Sequence, residues 1–183
     1  MDIYWIWFKI LNLEYKKKLK LLQEYKQIEK IYFLNTNILK DKFKFNQREL
    51  SNFIDKPVRE RASEIYKYNE KNNIGIISIL DDVYPYLLKQ IYNPPILIYY
   101  KGNLELLSKK NVHIFLGKNL DNYGDNILKE VCINLSNNNV SVISRDEKID
   151  KKIYEYNLNN IVVLAEGIKD MKINTKGIIL SEY

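Results

Sequence analysis

Hydrophobic positions recur at helical spacing along the first part of the chain. They are Ile3, Ile6, Trp7 and Ile10, followed by Leu19, Leu22, Tyr25 and Ile28. Three or four residues separate most neighbours in each set, which is the spacing of one face of an α-helix. Asn46 with Glu49 is typical of a capping box that begins another helix, and Pro57 is expected to end or restart that helix. We therefore predict an all-helical domain over residues 1–72, with the boundary at Asn72-Asn73.

The period of the pattern changes after Asn73. Six short runs are rich in β-branched residues and bounded by Gly, Asn, Pro or charge: IGIISIL, ILIYY, VHIFL, VSVIS, IVVLA and GIILS. Each is typical of a buried strand. A predicted helix between the third and fourth runs has an apolar stripe, formed by Ile127, Leu128, Val131, Cys132 and Leu135, and IDKKIYEYNLNN is a shorter helix candidate. Alternating strands and helices predict an α/β fold with a shortened Rossmann-like, mostly parallel sheet over residues 73–183.

The stretch YPYLLKQIYNPPILIYYKGN holds three of the four prolines. Pro85 is expected to begin a short helix, and Pro94-Pro95 forbids its continuation and extends the chain into ILIYY. Gly102 then permits the turn out of that strand. The stretch is therefore predicted to lead an extra strand onto the sheet.

Composition restricts the class of protein. The chain has 183 residues, of which 46% are apolar and 28% charged, as in a globular protein. The single cysteine, Cys132, excludes an internal disulfide framework and a cysteine-rich zinc site. No run approaches the roughly 18 apolar residues of a membrane span. We expect a soluble, cytoplasmic protein without membrane association.

Positive charge is concentrated in the helical part. Residues 1–73 carry 16 Lys/Arg and 10 Asp/Glu, a net charge of +6, whereas residues 74–183 carry 13 of each. The cluster Lys16, Lys17, Lys18 and Lys20, with Tyr15, Tyr25 and Tyr32, is suited to tracking phosphates and stacking bases. The alternative is that these lysines only cover the exposed side of small helices. Trp5 and Trp7 lie two residues apart, so we expect one of them to be exposed and to favour a protein partner.

Several motifs occur together in one order. Tyr84-Pro85, Pro94-Pro95, a strand and Gly102-Asn103 resemble the DprA/Smf family of DNA-processing proteins. HIFLGKN with NYG resembles the family's strand, Gly-Ser-Arg and later Tyr-Gly, and VSVISRDEKID its Ser-Gly-x-Ala-Arg-Gly-Ile-Asp loop. IVVLAEG resembles its next strand and glycine, and GIILSEY its Ser-Glu-Tyr. The resemblance covers about residues 74–183, and the helical part takes the place of the family's small (SAM-like) domain.

The resemblance implies a function. Proteins of this family bind single-stranded DNA on the Rossmann-like domain, dimerise, and hand the strand to the RecA recombinase in natural transformation; they are not known as enzymes. No cofactor, metal or catalytic residue is therefore expected. A glycine loop that opens a helix offers backbone N–H groups to a phosphate, and nearby cations add charge. The predicted DNA-binding residues are Gly117, Lys118, Asn119, Tyr123, Gly124, Ser144, Arg145 and Lys148.

This sequence departs from the family pattern at those sites. Lys118-Asn119 replaces the family's Ser-Arg, and the second loop lacks the glycines and contains Asp146 and Glu147. The chain ends at Tyr183, where the family continues, so the domain is predicted to be truncated at its carboxyl terminus. Both loops have an ordinary alternative, a tight turn or a solvated loop. The lone histidine, His113, is expected at a core or edge position rather than in catalysis.

Two other functions stay open. One is a paralogue that keeps the fold as a protein-interaction module without DNA binding, which the zero net charge of residues 74–183 favours. The other is a nucleotide hydrolase on the same scaffold. LGKNLDNYG is not a dinucleotide fingerprint, and no Walker sequence is present. The candidate acids Asp121, Glu147, Asp150 and Glu182 show no recognisable pairing, so we expect no enzyme.

Overall fold

A computed structural model describes most of the chain in two compact units. The described residues are 2–115, 121–145, 147–156, 158–168 and 177–183, with the backbone alone at 147–149. The first unit consists of Met1–Leu80 with Ile91–Leu97, and the second of Asp81–Gln90 with Ile98–Tyr183. In the described part, no helix is long and apolar enough to cross a membrane.

Six helices precede the first strand, as the apolar spacing predicts. They are α1 Asp2–Ile10, α2 Tyr15–Tyr25, α3 Ile28–Tyr32, α4 Thr36–Asp41, α5 Gln47–Ile54 and α6 Lys56–Asn72. Asn46 and Glu49 form the expected capping box: the Asn46 side chain accepts from the Glu49 N–H at 2.9 Å, and the Glu49 carboxylate accepts from the Asn46 N–H at 2.8 Å. Pro57 lies in the first turn of α6, where its missing N–H has no intrahelical partner to lose. Asn73, at φ 53°, ends α6 in the left-handed conformation.

An aromatic core holds these helices together. Trp7 is fully buried, and its ring packs edge-on against Tyr32 and Phe53, with centroids 4.8 and 4.9 Å away. The prediction that one tryptophan is exposed is wrong, because Trp5 is also buried, at 8% exposure, beside Phe8. The reason is that α1 is apolar on nearly all sides, so that residues two apart are both covered. The tryptophans therefore offer no surface for a partner.

Two lysines of the basic cluster are structural. Lys17 forms an ion pair with Glu49 at 2.7 Å, and its ammonium also donates to the Lys44 carbonyl at 3.1 Å. Lys18 is only 7% exposed, and its ammonium donates to the carbonyl of Lys9 at 2.7 Å, in the last turn of α1. A cation at the carboxyl end of a helix is favourable for the helix dipole, but burial carries a cost. Burial and, secondarily, the charge of Lys9 lower the pKa of Lys18 to about 8.

This buried ammonium makes stability depend on pH. The pKa of Lys18 is lower in the folded state than the ordinary value of 10.5, so the unfolded chain binds the proton more tightly. The charged form therefore destabilises the fold fully below pH 8, and this cost disappears as the pH rises through 10.5. At 1.36 kcal/mol for each pKa unit, the contribution of Lys18 to the free energy of unfolding should rise by up to about 3 kcal/mol across that window. Urea unfolding followed by tryptophan fluorescence measures it, since both tryptophans lie in α1.

Two variants isolate the contribution of Lys18. Lys18→Met keeps the aliphatic stem without the charge and should lack this rise. Lys16→Met removes an exposed charge from the same helix and should retain it. The same gain in all three proteins would contradict the assignment.

Within the described residues, six strands form one sheet in the order β1-β2-β6-β5-β4-β3. They are β1 Gly75–Ser78, β2 Leu97–Gly102, β3 Asn111–His113, β4 Ser141–Ser144, β5 Asn160–Leu164 and β6 Ile178–Ser181. Each overlaps one of the six predicted runs, and β2, β3 and β5 extend one or two residues beyond theirs. The pairs β3/β4, β4/β5 and β5/β6 are parallel, and β2 is antiparallel to β6. The mostly parallel, Rossmann-like sheet is thereby confirmed.

The proline-rich stretch leads into β2 as predicted. Helix α7, Tyr86–Lys89, begins directly after Pro85. The Pro94 carbonyl accepts a 2.6 Å hydrogen bond from the hydroxyl of Tyr15, which holds the extended segment within the first unit. Gly102 ends β2 at φ 120°, a conformation that favours glycine. The stretch therefore places β2 beside β6, as an antiparallel strand in the sheet.

Both faces of the parallel strands are covered. Two helices, α8 Asn122–Asn137 and α9 Glu147–Glu155, pack on one face through a core of Leu128, Cys132, Val142, Ile153 and Leu158. A 3₁₀-helix, Leu104–Ser108, contributes Leu106 to a second cluster with Ile161 and Ile178. The predicted stripe on α8 is only partly buried: Ile127 and Val131 are 43% and 40% exposed. They lie on the flank of α8 turned away from the core, so they are solvent-facing.

Candidate nucleic-acid interface

The carboxyl ends of β3, β4 and β5 form one edge of the α/β unit. Val112 pairs with Val142 and His113 with Ile143, while Ser144 pairs with Val162. Because these neighbours are parallel and in register, the residues that follow them emerge on the same side. Ligands of open parallel sheets bind at this edge.

The first predicted loop lies partly outside the described residues. Gly117, Lys118 and Asn119 all belong to the segment 116–120, which the structure does not describe. Tyr123 and Gly124 follow in the first turn of α8, and Tyr123 is 74% exposed. Tyr123 is thus available to a ligand.

An acidic residue already caps α8. The Asp121 carboxylate accepts a hydrogen bond from the Gly124 N–H at 2.7 Å. This satisfies a free amide and places a negative charge at the positive end of the helix dipole. A phosphate at that helix end would meet the carboxylate of Asp121. The charge that holds a phosphate must therefore come from side chains, rather than from the amino terminus of α8.

The next turn of α8 is neutralised by α9. Asp125 accepts from the Lys152 ammonium and from the Tyr156 hydroxyl, each at 2.8 Å. The hydrogen bond from Lys152 and then that from Tyr156 hold the pKa of Asp125 below its usual range. Its carboxylate joins the two helices and adds no isolated negative charge to the edge.

The second predicted loop begins from a buried polar cluster, which we call the Asp150 cluster: Ser144, Asp150 and Asn160. All three side chains are at most 4% exposed. The hydroxyl of Ser144 donates to Oδ1 of Asp150, and the amide Nδ2 of Asn160 donates to the same oxygen at 3.2 Å. Buried polar groups are tolerated when they are hydrogen-bonded to one another. Ser144 therefore has a structural role at this edge of the sheet.

Arg145 is a cation directly next to this cluster in the chain. It is exposed and follows Ser144 at the end of β4. The backbone of Lys148 lies in the first turn of α9, and its side chain is outside the described part, as are Asp146 and the side chain of Glu147. Of the predicted residues, the structure thus brings Tyr123, Gly124, Ser144 and Arg145 to one edge.

Sequence reasoning missed Phe115. The run VHIFL predicts a strand through this position, whereas β3 ends at His113. Phe115 is 83% exposed, and its ring lies 4.0 Å from the ring of His113. His113 itself is exposed on the last strand of the sheet, so the edge position predicted for it is confirmed. The available signal was that this aromatic residue lies only two positions before Gly117 in the sequence.

The basic cluster of the helical unit offers fewer free groups than its sequence suggests. Lys16 and Lys20 are exposed on α2, whereas Lys17 and Lys18 are used within the fold. The Tyr15 hydroxyl is engaged by Pro94. The alternative that these lysines mainly cover small helices is favoured here.

Metal or thiol chemistry finds no support among the described residues. In that part of the chain, no three His, Cys, Asp or Glu side chains are grouped to hold a metal ion. Cys132 is fully buried, and burial raises the pKa of its thiol, which disfavours the reactive thiolate.

Comparison with known proteins identifies a family and several relatives of this chain. Residues 75–183 match the profile of the family described as DNA recombination-mediator protein A. A DNA processing protein DprA from Streptococcus pneumoniae is 35% identical over 95 residues, which cover 50% of this chain and 34% of that protein. The DprA of Bacillus subtilis is 34% identical over 91 residues, which cover 47% and 29%. The matched segments thus span about a third of these relatives.

A solved structure shows the same fold. The X-ray structure of DprA from Streptococcus pneumoniae superposes with a TM-score of 0.68 at 22% identity, covering 100% of this chain and 68% of that one. The family profile matches more than half of the sequence, and the resemblance in the motifs is confirmed. The chain belongs to the DNA recombination-mediator protein A family.

Proposed function

We propose that this chain binds single-stranded DNA without catalysis and acts in DNA processing, uptake or recombination. Its partners would be a single strand, a RecA-type recombinase and a second copy of the chain, in the cytoplasm. The observation that carries the proposal is the exposed Arg145 at the carboxyl edge of the sheet, supported by the buried Asp150 cluster. The relatives' description as DNA processing proteins supports it.

The described groups favour binding over hydrolysis. Asp121 is used as a helix cap, and Asp150 is buried and accepts two hydrogen bonds. Neither is placed to activate a water on a phosphate. Arg145, with Lys118 and Lys148 as predicted partners from the sequence, supplies the charge for sequence-independent contacts with phosphates.

A titration of labelled oligothymidine at two salt concentrations tests the proposal. Wild type should bind at low salt, and the affinity should fall as salt rises. Arg145→Ala should weaken binding and reduce the slope of log K against log salt by about 0.7, the loss expected for one phosphate contact on a single strand.

The control is an arginine elsewhere. Arg61→Ala removes the same charge from an exposed position of α6 and should leave both affinity and slope close to wild type. The proposal is wrong if wild type does not bind at low salt, or if both variants reduce the slope equally.

A second candidate is a protein-interaction module without DNA binding. Its support is an exposed stripe on α8, with Tyr123, Ile127 and Val131 at successive spacings of four residues. Ile127→Asp should then disrupt self-association in analytical ultracentrifugation. Self-association in wild type together with no retention of oligothymidine would select this function.

A further inference from the structure

Two aromatic rings stand exposed on either side of the first loop. Phe115 precedes the segment 116–120 and is 83% exposed, and Tyr123 follows it and is 74% exposed. Both belong to the α/β unit. Contact with the ring of His113, at 4.0 Å and an interplanar angle of 54°, restricts the ring of Phe115.

Arg145 and Phe115 follow equivalent positions of two neighbouring strands. His113 and Ile143 are paired across the parallel strands β3 and β4. Each chain runs two residues further, to Phe115 and to Arg145. Neighbouring strands lie about 4.8 Å apart. The backbones that carry the Phe115 ring and the Arg145 guanidinium therefore leave neighbouring parallel strands at the same edge of the sheet, where one nucleic-acid strand can meet both residues.

We propose that Phe115 and Tyr123 stack against unpaired bases of a strand whose phosphates contact Arg145. The inference rests on the proposed function and assigns its base contacts. Every base has an aromatic face, so such stacking is independent of sequence, and the faces are inaccessible in a duplex. The two rings would therefore make this edge prefer a single strand to a duplex.

Fluorescence anisotropy with three ligands of equal length tests the proposal: oligothymidine, an abasic oligonucleotide with the same phosphates, and a duplex. Phe115→Ala and Tyr123→Ala should each weaken oligothymidine binding by about tenfold, within the range of one lost stack. Their affinity for the abasic ligand and their salt slope should equal those of wild type. Phe115→Trp should restore oligothymidine binding.

The matched control is Phe33→Ala, which removes a ring that is 72% exposed in the helical unit. It should change none of these affinities. Since Phe115 and Tyr123 are exposed, their replacement should leave the circular dichroism spectrum and thermal midpoint near those of wild type, so that lost affinity does not reflect unfolding.

The outcomes separate this inference from the function beneath it. Wild type that binds oligothymidine and the abasic ligand equally would overturn base stacking and leave phosphate binding intact. Wild type that binds neither would overturn the proposed function. A Phe115→Ala protein that loses self-association while retaining oligothymidine affinity would assign the ring to a protein contact, and would also overturn the inference.

Discussion

Gly177→Ala is expected to unfold much of the α/β unit, with a loss of about 3 kcal/mol or more in its free energy of unfolding. A Cβ at Gly177 would lie 1.7 Å from the backbone oxygen of Asn160. No side chain can rotate to relieve this clash, because the obstructing atoms belong to the main chain. On the other side, the Gly177 carbonyl accepts a hydrogen bond from the Asn103 N–H at 3.1 Å. A shift of β6 would therefore disturb its neighbours on both sides.

Hydrogen exchange measured by mass spectrometry is the suitable readout for Gly177→Ala. Both tryptophans lie in the helical unit, so their fluorescence does not follow the sheet. Amides of β5 and β6 should lose protection, while those of α1 and α6 retain more of it. Gly167→Ala is the matched control, since the nearest contact of its added Cβ is the Tyr183 carbonyl oxygen at 3.2 Å, a contact that a shift of a few tenths of an ångström relieves. A Gly177→Ala protein as well protected as this control would contradict the prediction.

Asp150→Ala should lower the free energy of unfolding of the α/β unit by about 2–5 kcal/mol. Two buried donors, the hydroxyl of Ser144 and the amide of Asn160, point to one carboxylate oxygen. Removing that acceptor takes a hydrogen bond from each of these buried groups, and a buried donor that loses its acceptor costs about 1–3 kcal/mol. Denaturant-dependent hydrogen exchange of the β4 and β5 amides measures the loss.

Asp150→Asn separates hydrogen bonding from charge. The amide oxygen of asparagine can accept from both donors, so this variant should lose much less stability than Asp150→Ala. Equal losses in the two variants would contradict the assignment of the lost stability to the shared oxygen of Asp150. Affinity for oligothymidine should follow stability in both, since the side chain of Asp150 is buried.

Local patterns predicted the elements because each has a local cause. The capping box of Asn46 and Glu49, the restart at Pro57 and the turn at Gly102 depend on residues adjacent in sequence. The β-branched runs likewise marked all six strands. Strand order is different, because pairings such as that of β2 with β6 join segments far apart in the chain.

The candidate site was only partly predictable for the same reason. Sequence placed Arg145 and Tyr123 near a ligand edge, but it did not show that Ser144 is buried against Asp150. The spacing on α8 marked Ile127 as apolar without showing which flank is covered. Likewise, the two-residue separation of Trp5 and Trp7 predicted that one of them is exposed, but both are buried because α1 is apolar on nearly all sides.

The path of the chain between its two units bears on how this protein can be divided. The first unit contains Ile91–Leu97 in addition to residues up to Leu80, and the second takes the intervening Asp81–Gln90. The backbone therefore passes from one unit to the other three times. A single cut cannot separate the halves, and a gene fusion that exchanged the helical half alone would also have to carry the proline segment that Tyr15 holds. We therefore expect the two units to be inherited together.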